Sequence, residues 1–156
     1  MKRSELEHIL RAAATIAEER DVLIIGSQAI LGTLAEDELP AVTTLSMEAD
    51  VAFFDDADNH KSDLVDGAIG ELSPFHEMYG YYAQGVSVST AMLPRGWRDR
   101  LVFVETASTA PGRGNCLEAH DCVISKLVAG REKAPSPSHC WTPASWTAPR
   151  YSSGSQ

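Results

Sequence analysis

The sequence predicts an α+β fold, close to α/β, with helices flanking a small mixed β-sheet. Short β-branched runs such as Val22 to Ile25 alternate with segments whose apolar residues recur at helical spacing. The 156 residues suffice for one core that buries roughly two-thirds of the surface exposed by the unfolded chain. With 44% apolar and 22% charged residues, the composition is that of a globular rather than a disordered chain.

The elements follow in order. Ser4 and Glu7 have the spacing of a capping box, and Leu6, Ile9, Leu10, Ala13, Ile16 and Ala17 recur at helical spacing, predicting an amphipathic helix through Arg20. "DVLII" predicts a strand ending at Gly26, and "SQAILGTLA" has the capping serine and apolar spacing of a short helix. Acidic, proline-containing "EDELPAVTT" reads as a loop and "EADVAFF" as a second strand. Lys61 to Ile69 predicts a helix burying Leu64, Val65, Ala68 and Ile69, whereas "YGYYAQGVSVSTAMLP" has too many glycines and aromatics to assign. "RLVFVE" (100–105) predicts a strand, "TAPGRGN" a turn, and "CLEAHDCVISKLVAG" a helix ending at Gly130.

The longest aliphatic run, Val22 to Ile25, is far short of the ~20 residues that span a bilayer. Met1-Lys2-Arg3 leads into an acidic amphipathic segment instead of an apolar one, which predicts no secretory signal and a cytoplasmic protein. Three cysteines suit reduced thiols better than a disulfide framework. The net charge of -9 disfavours non-specific binding to nucleic acid, yet the charge is polarised. Residues 36–77 carry twelve acids against Lys61 alone, and residues 95–133 carry seven bases against five acids. One half suits metal ions and the other phosphates, although any single charge also reads as a solvated surface group.

The chemistry concentrates in two short motifs. In a strand, residues i and i+2 share a face, so Glu48 and Asp50 of "SMEADVAFF" project side by side while Val51, Phe53 and Phe54 continue the buried strand. Gly26 of "VLIIGSQAILG" lets the backbone approach a phosphate, and Ser27 stands where a helix begins, with free amides facing an anion. Gly26-Ser27 alone is an ordinary strand-to-helix turn. Beside an acid-x-acid strand it reads as half of a site for nucleotide and metal, with Glu48 and Asp50 as the metal ligands.

The order hydrophobic strand, Gly-Ser, helix, acid-x-acid strand resembles the minimal nucleotidyltransferases of the polymerase-β-like superfamily. The combination "GSQAILG", "SMEADV", "FHEMYGYYA", "LPRGWRDRLV" and "HDCVISKLVAGREK" resembles an uncharacterised bacterial subfamily related to AbiEii-type toxin nucleotidyltransferases, over about residues 21–133. The resemblance implies the nucleotidyltransferase fold for residues 1–133 and transfer of a nucleoside monophosphate from an NTP to a hydroxyl. It also implies Mg2+, an acceptor that is a transfer RNA, a protein or a small molecule, and a cognate toxin or antitoxin partner. By the same resemblance Asp121 serves catalysis, and Lys126 and Arg131 join Gly26 and Ser27 in binding nucleotide. The chain departs from the pattern in having Glu48 for the usual Asp, a longer spacing between the halves, and Ala134 where relatives carry a further Asp. A catalytically inert nucleotide- or partner-binding module is the alternative.

Other groups weigh differently. Glu105 is the only candidate third carboxylate and reads more readily as a plain surface acid. "PGRGN" is a turn before it is a phosphate cradle. Zinc at Cys116, His120 and Cys122 is disfavoured because on a helix Cys122 points about 200° from His120. His76, Glu77, Tyr79, Tyr81 and Tyr82 read as core aromatics or a base-stacking wall. Arg95, Trp97, Arg98 and Arg100 read as an RNA contact or a tryptophan-anchored loop. Residues 134–156 form an irregular tail rich in Pro, Ser and Thr. In the shifted reading frame His139 through Thr142 encode Leu-Leu-Asp whatever synonymous codons are used, and the tail is read as the product of a frameshift near Lys133.

Overall fold

Helix α1 (Arg3–Ile16) forms on the predicted stripe: Leu6, Ile9, Leu10 and Ala13 are wholly buried. Complete burial of each of the three large side chains contributes about 1.5–3 kcal/mol. Its start differs from the Ser4-Glu7 box. Lys2 is the N-cap, and its backbone N–H donates to Glu5 Oε2 at 2.7 Å. Its end differs too, because Ala17 caps it and Glu18 turns left-handed at φ 51° instead of continuing to Arg20.

The computed structural model describes residues 1–34, 36–39 and 45–132. The tail reading (134–156), the frameshift near Lys133 and residues 40–44 of the "EDELPAVTT" loop lie outside the described residues. Five strands form one mixed sheet: β1 (Asp21–Ile24), β2 (Glu48–Ala52), β3 (Tyr82–Gly85), β4 (Val102–Val104) and β5 (Arg113–Cys116), in the order β3-β2-β1-β5-β4. β1 is antiparallel to β2 and parallel to β5; β3 is parallel to β2, and β4 is antiparallel to β5. This is the predicted α+β class with a small mixed sheet. α1 packs on the sheet beside α2 (His60–Ile69), and α4 (Ala119–Glu132) packs against the short 3-10 helix Ser27–Gly32 that follows β1. Among the described residues, no helix is long and apolar enough to cross a membrane.

Several segments differ from their sequence reading, and in α2 Leu64 and Ala68 of the predicted buried stripe are exposed. "GRGN" is strand β5, not a turn. A β-carbon at Gly114 would stand 2.6 Å from Leu10 Cδ1, so the glycine serves the close approach of α1 to the sheet. "RLVFVE" keeps only Val102–Val104 as strand, because Trp97–Arg100 turns into a 3-10 helix. The last helix starts at Ala119, after Cys116 has completed β5, and runs through solvent-facing Gly130 to Glu132. The unassigned aromatic stretch, 79–94, supplies β3 and the 3-10 helix Val88–Thr90, and α3 (Pro74–Tyr79) ends where that stretch begins. Ser73 Oγ accepts the His76 N–H at 3.2 Å to start α3, and left-handed Gly80 ends it.

Candidate functional site

Strand β2 alternates as its sequence requires. Ala49 and Val51 are wholly buried in the core, and Glu48 and Asp50 point to the opposite face. The adjoining end of β1 is tied to it by Ile25 N–H donating to Asp50 O at 3.2 Å, which brings Gly26 beside the acid. Gly26 has an ordinary extended backbone, φ -84°. What demands glycine there is room: a β-carbon would lie 1.6 Å from Asp50 Oδ2. Ser27 then opens the 3-10 helix, whose first turn closes with Ala29 N–H donating to Gly26 O at 3.1 Å.

α4 closes the other side. Gly26, Ser27, Asp50, Val86, Cys122 and Lys126 are among the residues lining a cleft of about 260 Å³. Four of the residues singled out from sequence therefore meet in one cavity. Glu48 adjoins it through its contact with Asp50, whose carboxyl is held above its usual range by burial first, then by the charge and hydrogen bond of Glu48, with Lys126 opposing. Two acids pressed together on a rigid strand are a donor pair for a hard cation. The Tyr82 hydroxyl donates to Glu48 Oε2 at 3.0 Å, and burial followed by that bond pushes the phenol up to about 12. In register on β3, Tyr82 lies opposite Glu48 and Gln84 opposite Asp50, so the neighbouring strand offers neutral groups to both acids. Burial pushes the Cys122 thiol up to about 11, and its Sγ lies 3.9 Å from Gly26 O, a packing contact at the cleft wall.

The remaining candidates lie elsewhere. Asp121 is buried and does not line the cleft; Arg100 holds it from two nitrogens, Nε at 3.0 Å and Nη2 at 2.9 Å. Glu105 pairs with Arg20 at 2.6 Å. Because β4 runs antiparallel to β5, Glu105 sits at the Asp21 end of the sheet, away from Gly26. Arg131 belongs to the last turn of α4, and its side chain lies outside the described residues. Tyr79 and Tyr81 cluster with Phe75 around His8, whose Nδ1 is 2.8 Å from the Tyr81 hydroxyl; of those aromatics only Tyr82 reaches the acids. Cys116 is buried on β5, Cys122 on α4, and exposed His120 pairs with Glu118 at 2.7 Å.

Sequence reasoning missed Gln84 and Val86, read Tyr82 as a core or base-stacking aromatic instead of the partner of Glu48, and missed Arg100 as the partner of Asp121. The alternation Tyr82-Ala83-Gln84 was the available signal for β3, obscured by the flanking glycines and aromatics. Compared with known proteins, the chain matches no protein-family model, no curated protein and no solved structure.

Proposed function

We propose that the chain is a cytoplasmic, magnesium-dependent nucleotidyltransferase that moves a nucleoside monophosphate from an NTP to a hydroxyl of an RNA, a protein or a small molecule. One observation carries the reading: Gly26, Ser27, Asp50 and Lys126 share one cleft, with Glu48 in contact with Asp50. Among the described residues there is no cluster of three or more metal-ligating side chains. A pair of carboxylates nevertheless fits Mg2+, which is commonly held by one or two carboxylates together with substrate phosphates. Glu48 and Asp50 would hold it, and when bound it neutralises charge on the phosphoryl oxygens.

The chain's own residues supply the rest. Gly26 leaves room for the Asp50 carboxylate, Ser27 would offer its hydroxyl to the triphosphate, and Lys126 contributes a flexible positive charge. Tyr82 fixes the orientation of Glu48 by donating to Oε2. In the reaction the acceptor oxygen forms a bond to the α-phosphorus and the bond to the bridging oxygen breaks. Its electron pair leaves with pyrophosphate, and the acceptor proton passes to solvent or to a carboxylate of the pair.

Incubation with α-labelled NTPs and Mg2+ tests this directly, with Glu48→Ala and Asp50→Ala in parallel. Label should move to an acceptor in the wild type and fall by at least about 100-fold in both variants. Equal labelling by all three proteins would sink the assignment of these acids.

The neutral residues facing the pair on β3, Tyr82 and Gln84, favour a second reading, an inert nucleotide- or partner-binding module of a toxin–antitoxin type system. Calorimetry separates the two: nucleotide binding indifferent to Mg2+ and without turnover belongs to the inert module.

A further inference from the structure

Phe54 and Trp97 present nearly parallel rings, 12° apart in plane with centroids 6.3 Å apart, toward the loose end of the ~4.5–7 Å range in which aromatic rings pair. Arg98 places its guanidinium carbon 5.8 Å from the Phe54 centroid and 5.3 Å from that of Trp97. Phe54 remains 36% exposed, which leaves part of a large ring available to a ligand. It stands four residues beyond Asp50, in the bend that follows β2.

Phe54 lines a hollow of about 190 Å³ beside Asp55, Asp56 and Val86. Val86 also lines the cleft of Asp50 and Lys126, about 260 Å³, so the two spaces adjoin across one side chain. Neither reaches the ~300–1,000 Å³ of small-ligand sites alone, and together they do. Their charges differ: Lys126 stands beside Asp50 in the larger space, whereas Asp55 and Asp56 line the smaller one with no basic residue. A molecule with an anionic end and a flat neutral end therefore has one favoured orientation, phosphates toward Lys126 and the ring toward Phe54.

Resting on the nucleotidyltransferase reading, we infer that Phe54, backed by Trp97 and Arg98, forms the stacking platform for the nucleobase of the donor nucleotide. Stacking on a π-face tolerates every base, so the platform binds all four NTPs and favours purines by area. Its occupant is the donor nucleotide rather than an RNA acceptor, because the platform adjoins the cleft that would hold the triphosphate.

The experiment is calorimetric titration of the full chain, in Mg2+, with ATP, with inorganic tripolyphosphate and with a single-stranded RNA hexamer. The variants are Phe54→Leu, which keeps an apolar side chain without a ring, and Phe54→Ala, each checked by thermal melting. Both should weaken ATP about 5- to 150-fold and leave tripolyphosphate unchanged. Wild-type ATP affinity in Phe54→Leu, while Asp50→Ala and Lys126→Ala still abolish ATP binding, overturns the platform and spares the nucleotide reading. Loss of RNA binding with ATP unaffected overturns it in favour of the acceptor. A wild type that binds neither ATP nor tripolyphosphate overturns both.

Discussion

Asp50 lies so close over Gly26 that a β-carbon on the glycine would stand 1.6 Å from its Oδ2 and 2.6 Å from its Cγ. Gly26 has an extended backbone open to any residue, so the glycine reserves space for the carboxylate. Gly26→Ala forces Asp50 out of place without breaking a backbone requirement. The expected result is a folded protein whose nucleotidyl transfer falls about 100-fold, the scale set by ångström displacements at a reacting centre. Labelling assays beside circular dichroism check it; full activity in the alanine variant would remove functional meaning from the contact.

The Asp50 carboxyl is raised by burial and then by Glu48. Between the unfolded value near about 3.9 and the higher folded one, the native chain holds a proton that the unfolded chain has released, so this group's contribution to stability declines as pH rises through that window. Above that window the contribution of Asp50 is unfavourable. Asp50→Asn removes it and gives Glu48 an N–H donor. Its melting midpoint at pH 7 should rise by a few degrees, about 2–4 °C for each kcal/mol gained, while transfer activity disappears. A midpoint lower than wild type would show that the native state favours the ionised carboxylate.

Asp56 behaves with the opposite sign. It organises the start of α2, with Oδ1 accepting the Lys61 N–H at 2.8 Å and Oδ2 accepting the Ser62 N–H and hydroxyl at 2.9 and 2.6 Å. Burial pushes this carboxyl up, and those three bonds, with the charge of Lys61, more than offset it and hold it below its usual value. Its stabilisation is complete above the unfolded value near about 3.9 and is lost as pH falls through the folded one. Asp56→Ala should cost about 0.5–2 kcal/mol at pH 7 and flatten the acid limb of a stability-against-pH curve measured by urea unfolding.

Asp121 is 2% exposed and anchors α4 to the loop that carries Arg100. Asp121→Ala strips two charge-assisted bonds from that junction and should cost about 1–3 kcal/mol in urea unfolding. Nucleotide affinity should fall far less than in Lys126→Ala, which removes a cation lining the cleft itself. The reverse pattern, unchanged stability with lost turnover, would make Asp121 a catalytic residue.

Much of the site was legible because its halves are local. Gly26-Ser27 follows a β-branched strand directly, and Glu48 and Asp50 share a face through strand periodicity alone. The helical position of Asp121 says nothing of Arg100, 21 residues earlier in the chain, which claims both of its oxygens. Glu105 stands as the surface acid the sequence favoured, paired with Arg20; the end of the sheet it occupies depends on strand direction, and the antiparallel pairing of β4 with β5 is non-local information. "GRGN" read as a turn because glycine punctuates loops, whereas here Gly114 makes room for Leu10.

By itself the sequence determined the α+β class, the amphipathic α1, the two central strands and the side-by-side acids. Each of these follows from spacing within a few residues, where backbone geometry leaves little choice. Tertiary structure alone decided that α4 carries Lys126 to the Asp50 cleft, that Tyr82 and Gln84 face the acid pair, and that Phe54 meets Trp97. Those contacts join segments separated by tens of residues, and their partners are selected by strand order and by the burial of a shared core, quantities that no local pattern encodes.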